Sequence, residues 1–257
     1  MFVDSHCHLD FPELAAEREA ILALMRENRV THAMTISTTL NTFPRVREIA
    51  EENPHIFASA GVHPDEEGDG REATLDELLR MADHPKVVAI GETGLDYYRL
   101  KEPLDWQRER FRTHIRAARE TGKPLVIHTR NAAEDTLRLM SEEKAGEVGG
   151  VMHCFTETTD VARRAMDLGF HISFSGIVTF KNAIPLKDVA RVVPLDRMLI
   201  ETDSPYLAPT PYRGKTNQPG YVKHVAEEIA RLKETALEEV GRVTTDNFFR
   251  LFKHASR

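Results

Sequence analysis

The sequence predicts an α/β protein built as a single-domain (β/α)8 barrel, with its active site at the C-terminal ends of the strands. Three observations lead there. The 257 residues match one barrel domain, which typically runs to ~250 residues. Short apolar runs alternate with helix-patterned segments from one end of the chain to the other. Six of those runs lead into a histidine or a carboxylate: Phe2 to His8, Gly61 to His63, Val88 to Glu92, Leu125 to His128, Val151 to His153 and Met198 to Asp203. Polar side chains at the ends of buried strands are costly unless those ends converge on a ligand. In a barrel they do converge.

Strands are expected near residues 2–6, 32–38, 56–62, 87–92, 124–129, 149–154, 171–176 and 197–203, from apolar runs bounded by turn signals. Each is followed by helical patterning. Glu13 to Asn28 carries Leu14, Ala15, Ile21, Leu22 and Met25 on one stripe, and Trp106 to Glu120 carries Phe111, Ile115 and Ala118. Asp105 and Thr158 read as helix N-caps, Gly122 and Gly169 as C-terminal glycines, and Leu237 to Lys253 as a closing helix. Strict alternation implies a parallel sheet, and eight such units imply closure. An open doubly wound sheet usually carries a glycine-rich loop after its first strand. Here His6-Cys7-His8 occupies that place. No linker, repeat or low-complexity tract interrupts the chain.

Composition is that of an ordinary globular enzyme, with 41% hydrophobic and 29% charged residues. No apolar run approaches the ~18 residues of a membrane span. The amino terminus shows no basic leader, and only Cys7 and Cys154 are present. The expected location is therefore the cytoplasm, without a disulfide framework. A net charge of −7 argues against wrapping duplex nucleic acid. Any phosphate must be held locally.

His6 and His8 are two apart on a strand, so both imidazoles face the barrel interior while Cys7 faces the helical layer. Cys154 is expected to turn away from the mouth by the same parity, and both thiols read as small buried hydrophobes. A lone histidine is usually a satisfied core residue, but a His-x-His pair at a barrel mouth is not that case. With Glu92, His128, His153 and Asp203 the set reaches six donors. That is too many for one tetrahedral ion and suits two divalent cations sharing a carboxylate. Glu92 is the natural bridge, since a carboxylate offers two oxygens and an imidazole one lone pair. Zinc or manganese suits imidazole-rich donors better than magnesium alone.

The motifs Val3-Asp-Ser-His-Cys-His-Leu-Asp10, Ile90-Gly-Glu-Thr-Gly-Leu-Asp-Tyr97, Ile127-His-Thr-Arg130, Gly150-Val-Met-His-Cys-Phe155 and Glu201-Thr-Asp-Ser-Pro-Tyr-Leu207 occur in family order along the whole chain. In them the sequence resembles the TatD family of metal-dependent deoxyribonucleases, in its YcfH-type branch, among amidohydrolase-like barrels. The resemblance implies one metal on His6, His8, Glu92 and Asp203, and a second on Glu92, His128 and His153. It departs at Asn131, where that branch often carries aspartate, which leaves the ligand set intact. With glutamate at the strand-four position, no carbamylated lysine is required.

Two divalent ions outweigh Glu92 and Asp203, which leaves positive charge in an acidic protein and favours an anionic substrate such as a phosphodiester. Asp203 is read as the general base. His63, Arg130, Tyr206 and Arg213 are read as substrate contacts. Tyr212, Lys215 and Asn217 share the loop after strand eight with the last two, a mixture suited to phosphate pairing and base stacking. The plainer alternatives are a rim ion pair for Arg130, a locally satisfied His63 and a solvated loop for Lys215. Asp4 and Glu201 are read as supports for the ligands, with interior ion pairing as the competing role. The reaction so implied is exonucleolytic cleavage from a 3′ end of single-stranded DNA, or RNA. The alternative is hydrolysis of a small cyclic amide or ester. A catalytically silent metal protein would be expected to lack a ligand, and none is missing.

Overall fold

The computed structural model describes residues 1–67, 71–100 and 104–257. Its strands are β1 Phe2–Cys7, β2 Val30–Thr35, β3 Ile56–Ala60, β4 Val87–Asp96, β5 Leu125–Arg130, β6 Gly150–Met152, β7 Phe170–Phe174 and β8 Met198–Ile200. Each pairs in parallel with the next, in the order of the chain. The last seam, β8 to β1, is joined past the end of β8. Asp203 N–H donates to His6 O and His8 N–H to Ser204 O, both at 2.9 Å, and Cys7 bridges Ser204 in parallel. The barrel is thus nearly closed.

Helices lie between the strands, α1 Pro12–Ala15, α2 Arg18–Glu27, α3 Phe43–Glu52, α4 Leu75–Ala82, α5 Asp105–Thr121, α6 Ala133–Glu142, α7 Thr159–Asp167 and α8 Ile184–Val192, and two follow β8, α9 Val222–Lys233 and α10 Leu237–Leu251. None is long and apolar enough to cross a membrane. Strand alternation builds two apolar layers. Val126, Val151 and Leu199 pack in an inner cluster with Val3, Phe57 and Val88, sealed by Phe248 of α10 and by Phe252, the residue that caps it. Their neighbours Ile127, Met152 and Ile200 pack outward with helix residues such as Phe111, Ile115 and Ile229. The same alternation carries His128, His153 and Glu201 inward.

Several expectations change in detail. The segment from Glu13 to Asn28 is two helices, because the chain leaving β1 first covers the mouth. Phe11 N–H donates to His8 O and its ring stacks on His8 at 4.6 Å; a turn closed by Glu17 N–H on Leu14 O then starts α2 down the outer wall. Asp105 is the first residue of α5 rather than its cap, which is Leu104. Its carboxylate still lies at the positive end of the helix, 3.0 Å from Arg108 Nη1. Thr158 caps α7 by accepting from Val161 N–H. Gly122 and Gly169 take the left-handed conformation that ends α5 and α7, at φ 66° and 88°. Strand β4 runs four residues beyond Glu92, through Asp96.

Candidate metal centre

Glu92 is the hub of a buried cluster at the mouth. Its Oε2 lies 3.3 Å from His6 Nε2. Asp203 Oδ1 lies 3.6 Å from that nitrogen and 3.4 Å from His8 Nε2, and the two imidazole nitrogens are 3.3 Å apart. Its Oε1 faces another set: His153 Nε2 at 2.8 Å, His128 Nδ1 at 3.3 Å and His63 Nε2 at 3.3 Å. One carboxylate therefore divides its two oxygens between two groups of nitrogens. The structure brings His6, His8, His63, Glu92, His128, His153 and Asp203 together, with His63 as close to Glu92 as His128 is.

Three of the imidazoles are held from behind by carboxylates. His153 Nδ1 lies 3.2 Å from Glu201 Oε1, which also accepts from Cys154 N–H at 2.8 Å. His128 Nε2 lies 3.2 Å from Asp96 Oδ2. His63 Nδ1 bonds Asp65. Such pairings fix a ring's orientation and raise its basicity toward a metal. Burial works against ionising Asp96, yet His128 and the amides of Arg99 and Tyr98 hold its carboxyl down at about 2. His63 is pushed up to about 9 because Glu92 and Asp65 outweigh its burial. Burial likewise opposes charge on Glu92, but the facing histidines His153, His63 and His6 keep it well below the usual carboxylate range.

The sequence reading had missed Asp65 and Asp96. Asp96 was within reach of it, because Glu92, Gly94 and Asp96 share parity on one strand and Asp96 stands in the motif from Ile90 to Tyr97. Asp65 carried no such signal, since it acts from a loop. Asp4 is placed differently from expectation: its carboxylate accepts from Thr202 N–H at 2.9 Å and Thr202 Oγ1 at 2.6 Å, while His6 Nδ1 has no partner. The register of β1 shifts between Asp4 and Cys7, so Asp4 does not share the facing of His6. It fastens the barrel seam, and reaches His6 only through the backbone N–H, which donates to Asp4 Oδ1 at 3.3 Å.

Helix α5 places the His63 loop. Gln107, Arg110 and His114 lie on its buried stripe. His114 Nε2 accepts from Val62 N–H at 3.0 Å, while its Nδ1 meets Arg110 O at 2.8 Å. Arg110 Nη1 donates to His63 O at 2.8 Å, and Gln107 Nε2 to Pro64 O at 3.0 Å. Gln107 Oε1 also accepts from Asp96 N–H at 2.9 Å. One helix face thus holds the backbones that present His63 and Asp96.

Above the cluster is a cavity of about 670 Å³, within the usual range for ligand sites. His63, Arg99, Arg130, Tyr206 and Phe11 line it. Arg130 stacks 3.9 Å over Tyr98 rather than forming the rim ion pair considered for it. Arg213 does not line the cavity. Its guanidinium lies 3.5 Å over Phe180, while Tyr212 stacks on Tyr221. Asn217 is buried and ties the loop down through Thr202 O and Tyr206 O. Cys7 is in the outer core as expected, but Cys154 lines the cavity, its Sγ 3.3 Å from Ser175 Oγ. Strand β6 ends at Met152 and Cys154 has φ 41°, so strand parity no longer applies there. Asn131 has φ 54°, a conformation asparagine tolerates better than most residues.

The donors suit divalent cations. Imidazole nitrogens and carboxylate oxygens converge in the groups His6–His8–Asp203 and His63–Glu92–His128. His153 Nε2 is buried without a hydrogen bond although Glu92 Oε1 is beside it. Buried polar atoms are normally satisfied, and a cation between these two atoms would satisfy both.

The comparisons agree with this geometry. The family model for TatD related DNase matches residues 3–253. The metal-dependent hydrolase YcfH of Escherichia coli strain K12 is 50% identical over 253 residues, covering 97% of this chain and 95% of that protein. YabD of Bacillus subtilis strain 168, also named a metal-dependent hydrolase, is 44% identical over 253 residues, covering 98% and 99%. The crystal structure of YJJV, a TatD homolog from Escherichia coli K12, superposes with a TM-score of 0.90 at 27% identity, covering 98% of both chains. Fold, clustered donors and whole-length similarity converge: this chain belongs to the TatD-related DNase family, among its metal-dependent hydrolases.

Proposed function

We propose that the chain hydrolyses phosphodiester bonds in single-stranded DNA, or RNA, as a 3′–5′ exonuclease with two divalent cations, zinc, manganese or magnesium. The observation that carries this reading is the division of Glu92, whose two oxygens face two separate groups of nitrogens. His6, His8, Glu92 and Asp203 would hold one ion, and Glu92, His128 and His153 the other. Divalent ions supply Lewis-acid charge that makes water nucleophilic and offsets charge developing on phosphoryl oxygens. Asp203 borders the cavity, and His8 keeps its carboxyl ionised despite burial, so it is placed to accept the proton of the attacking water. His63 donates to a phosphoryl oxygen, its ring held by Asp65. Tyr206 offers a ring to a base. A cytoplasmic location belongs to the same reading, supported by the free thiols of Cys7 and Cys154.

The test is to incubate metal-reconstituted protein with end-labelled single strands, beside a dihydroorotate-like cyclic amide. Shortening of the DNA from its 3′ end, with the amide untouched, is the expected result. Turnover of the amide with intact DNA would replace this reading with the small-molecule one.

A further inference from the structure

We infer that the wall of the mouth built by β4 and β5 is a second phosphate subsite, formed by Arg99 and Arg130, so that the preferred substrate carries a phosphate beyond the scissile one. This rests on the phosphodiesterase reading and makes it more specific, to oligonucleotides rather than single phosphodiesters.

Topology divides the mouth into unlike walls. In a barrel ordered β1 to β8, the β4–β5 pair lies opposite the β8–β1 seam. The pairing of Asp96 with Arg130 brings the end of β5 beside the loop that carries Tyr98 and Arg99. There Arg130 stacks on Tyr98, which is 60% exposed. Arg99 N–H donates to Asp96 Oδ1 at 2.8 Å, and its Nη1 lies 2.7 Å from Asp65 Oδ2. Across the mouth stand Phe11 and Tyr206, in edge contact at 6.1 Å, with Leu207 and Ile177; Tyr206 is 52% exposed. Among the described lining residues, both guanidinium groups lie on the β4–β5 side.

Charge gives those two arginines a role the ions cannot fill. Asp65, Asp96 and Glu201 join Glu92 and Asp203 around the imidazoles. Those five carboxylates carry −5 against the +4 of two divalent cations, so the ions leave no surplus positive charge and attraction for a further phosphate falls to Arg99 and Arg130. Each planar fork can meet a phosphate oxygen. With the scissile phosphate at Glu92, the adjoining phosphate falls to Arg99 and Arg130 and its base to Tyr98, while the terminal base meets Tyr206 and Phe11.

The test measures binding and turnover separately. A fluorescein-labelled trithymidylate carrying phosphorothioate linkages is titrated by anisotropy into chelated protein, from roughly 50 to 200 mM salt. Losing one phosphate contact to a single strand flattens the plot of log affinity against log salt by ~0.7. That change is expected for Arg99→Ala, for Arg99→Gln, which keeps a donor toward Asp65, and for Arg130→Ala. Arg242→Ala, on the far helix α10, should show the wild-type slope. In turnover, Arg99→Ala should lose about tenfold more kcat/KM on trithymidylate than on bis(p-nitrophenyl) phosphate, which has one phosphate. Unchanged slopes, or equal losses on both substrates, would overturn the subsite and leave Arg99 as a support for Asp65. A wild-type protein that cleaves neither substrate defeats the phosphodiesterase reading itself, and the binding slopes then decide the subsite alone.

Discussion

Asp203 is tied at once to His6, His8 and the open cavity, and its backbone closes the barrel seam. Its side chain can therefore be altered without touching the backbone bond that positions it. Asp203→Asn keeps an oxygen toward the nitrogens and removes the strong base. Turnover should fall by roughly 10²–10⁴-fold, with metal content measured alongside to separate lost basicity from lost metal. A variant at full occupancy and near wild-type rate would move the base elsewhere. The acidic residues behind the histidines also correct the charge argument drawn from the sequence. Two ions beside two carboxylates leave positive charge, but Asp65, Asp96 and Glu201 remove it.

Helix α5 shows how an element far from the chemistry fixes its geometry. Residues 107, 110 and 114 lie about one and two turns apart, so Gln107, Arg110 and His114 form one buried stripe. His114 can accept from Val62 and donate to Arg110 O only as a neutral ring, and burial pushes it down to about 4. The unfolded chain takes up a proton near 6.5, while the native ring resists it. Stability linked to this residue is therefore complete above pH ~6.5 and is lost progressively as pH falls toward 4. By pH 5 the loss is roughly 2 kcal/mol. His114→Leu should cost ~1–3 kcal/mol at pH 7, by leaving the Val62 amide unpaired, and should flatten the decline between pH 6.5 and 5. Urea unfolding at several pH values reads both effects. A parallel decline in the two proteins would show that other groups govern acid sensitivity.

The molecule as a whole is a barrel sealed at one end by Phe248 and Phe252 and drawn together at the other by buried charge. At the mouth, burial opposes charge on Glu92 and on His153, but each favours the charged form of the other. Cations bound there would favour the folded state alone, because the donors come from strands scattered along the chain. Exhaustive chelation should abolish turnover and lower Tm, and zinc or manganese should restore both. At free metal a hundredfold above Kd the gain is about 2.7 kcal/mol, which raises Tm by roughly 5–10 °C for a chain of this size. Full activity with metal content verified as negligible would contradict the mechanism.

The strand order, the alternation of layers and the clustering of His6, His8, Glu92, His128, His153 and Asp203 were legible in the sequence. They follow from local periodicity and from one rule, that parallel strand ends share a mouth. Asp96 was legible by the same parity. Asp65 and Arg99 were not, because they act from loops that no period encodes, and the stripe of α5 was not, because its residues have helical spacing but are polar and so read as a solvated face. Cys154 and Asp4 defied parity where a strand ends or its register shifts. Arg213 has the chemistry of a phosphate contact, but the fold of its loop turns it onto Phe180. Residue type and spacing determined which groups could do the chemistry, while the tertiary structure decided which of them reach the cavity, because reach depends on backbone bonds made between segments far apart in the chain.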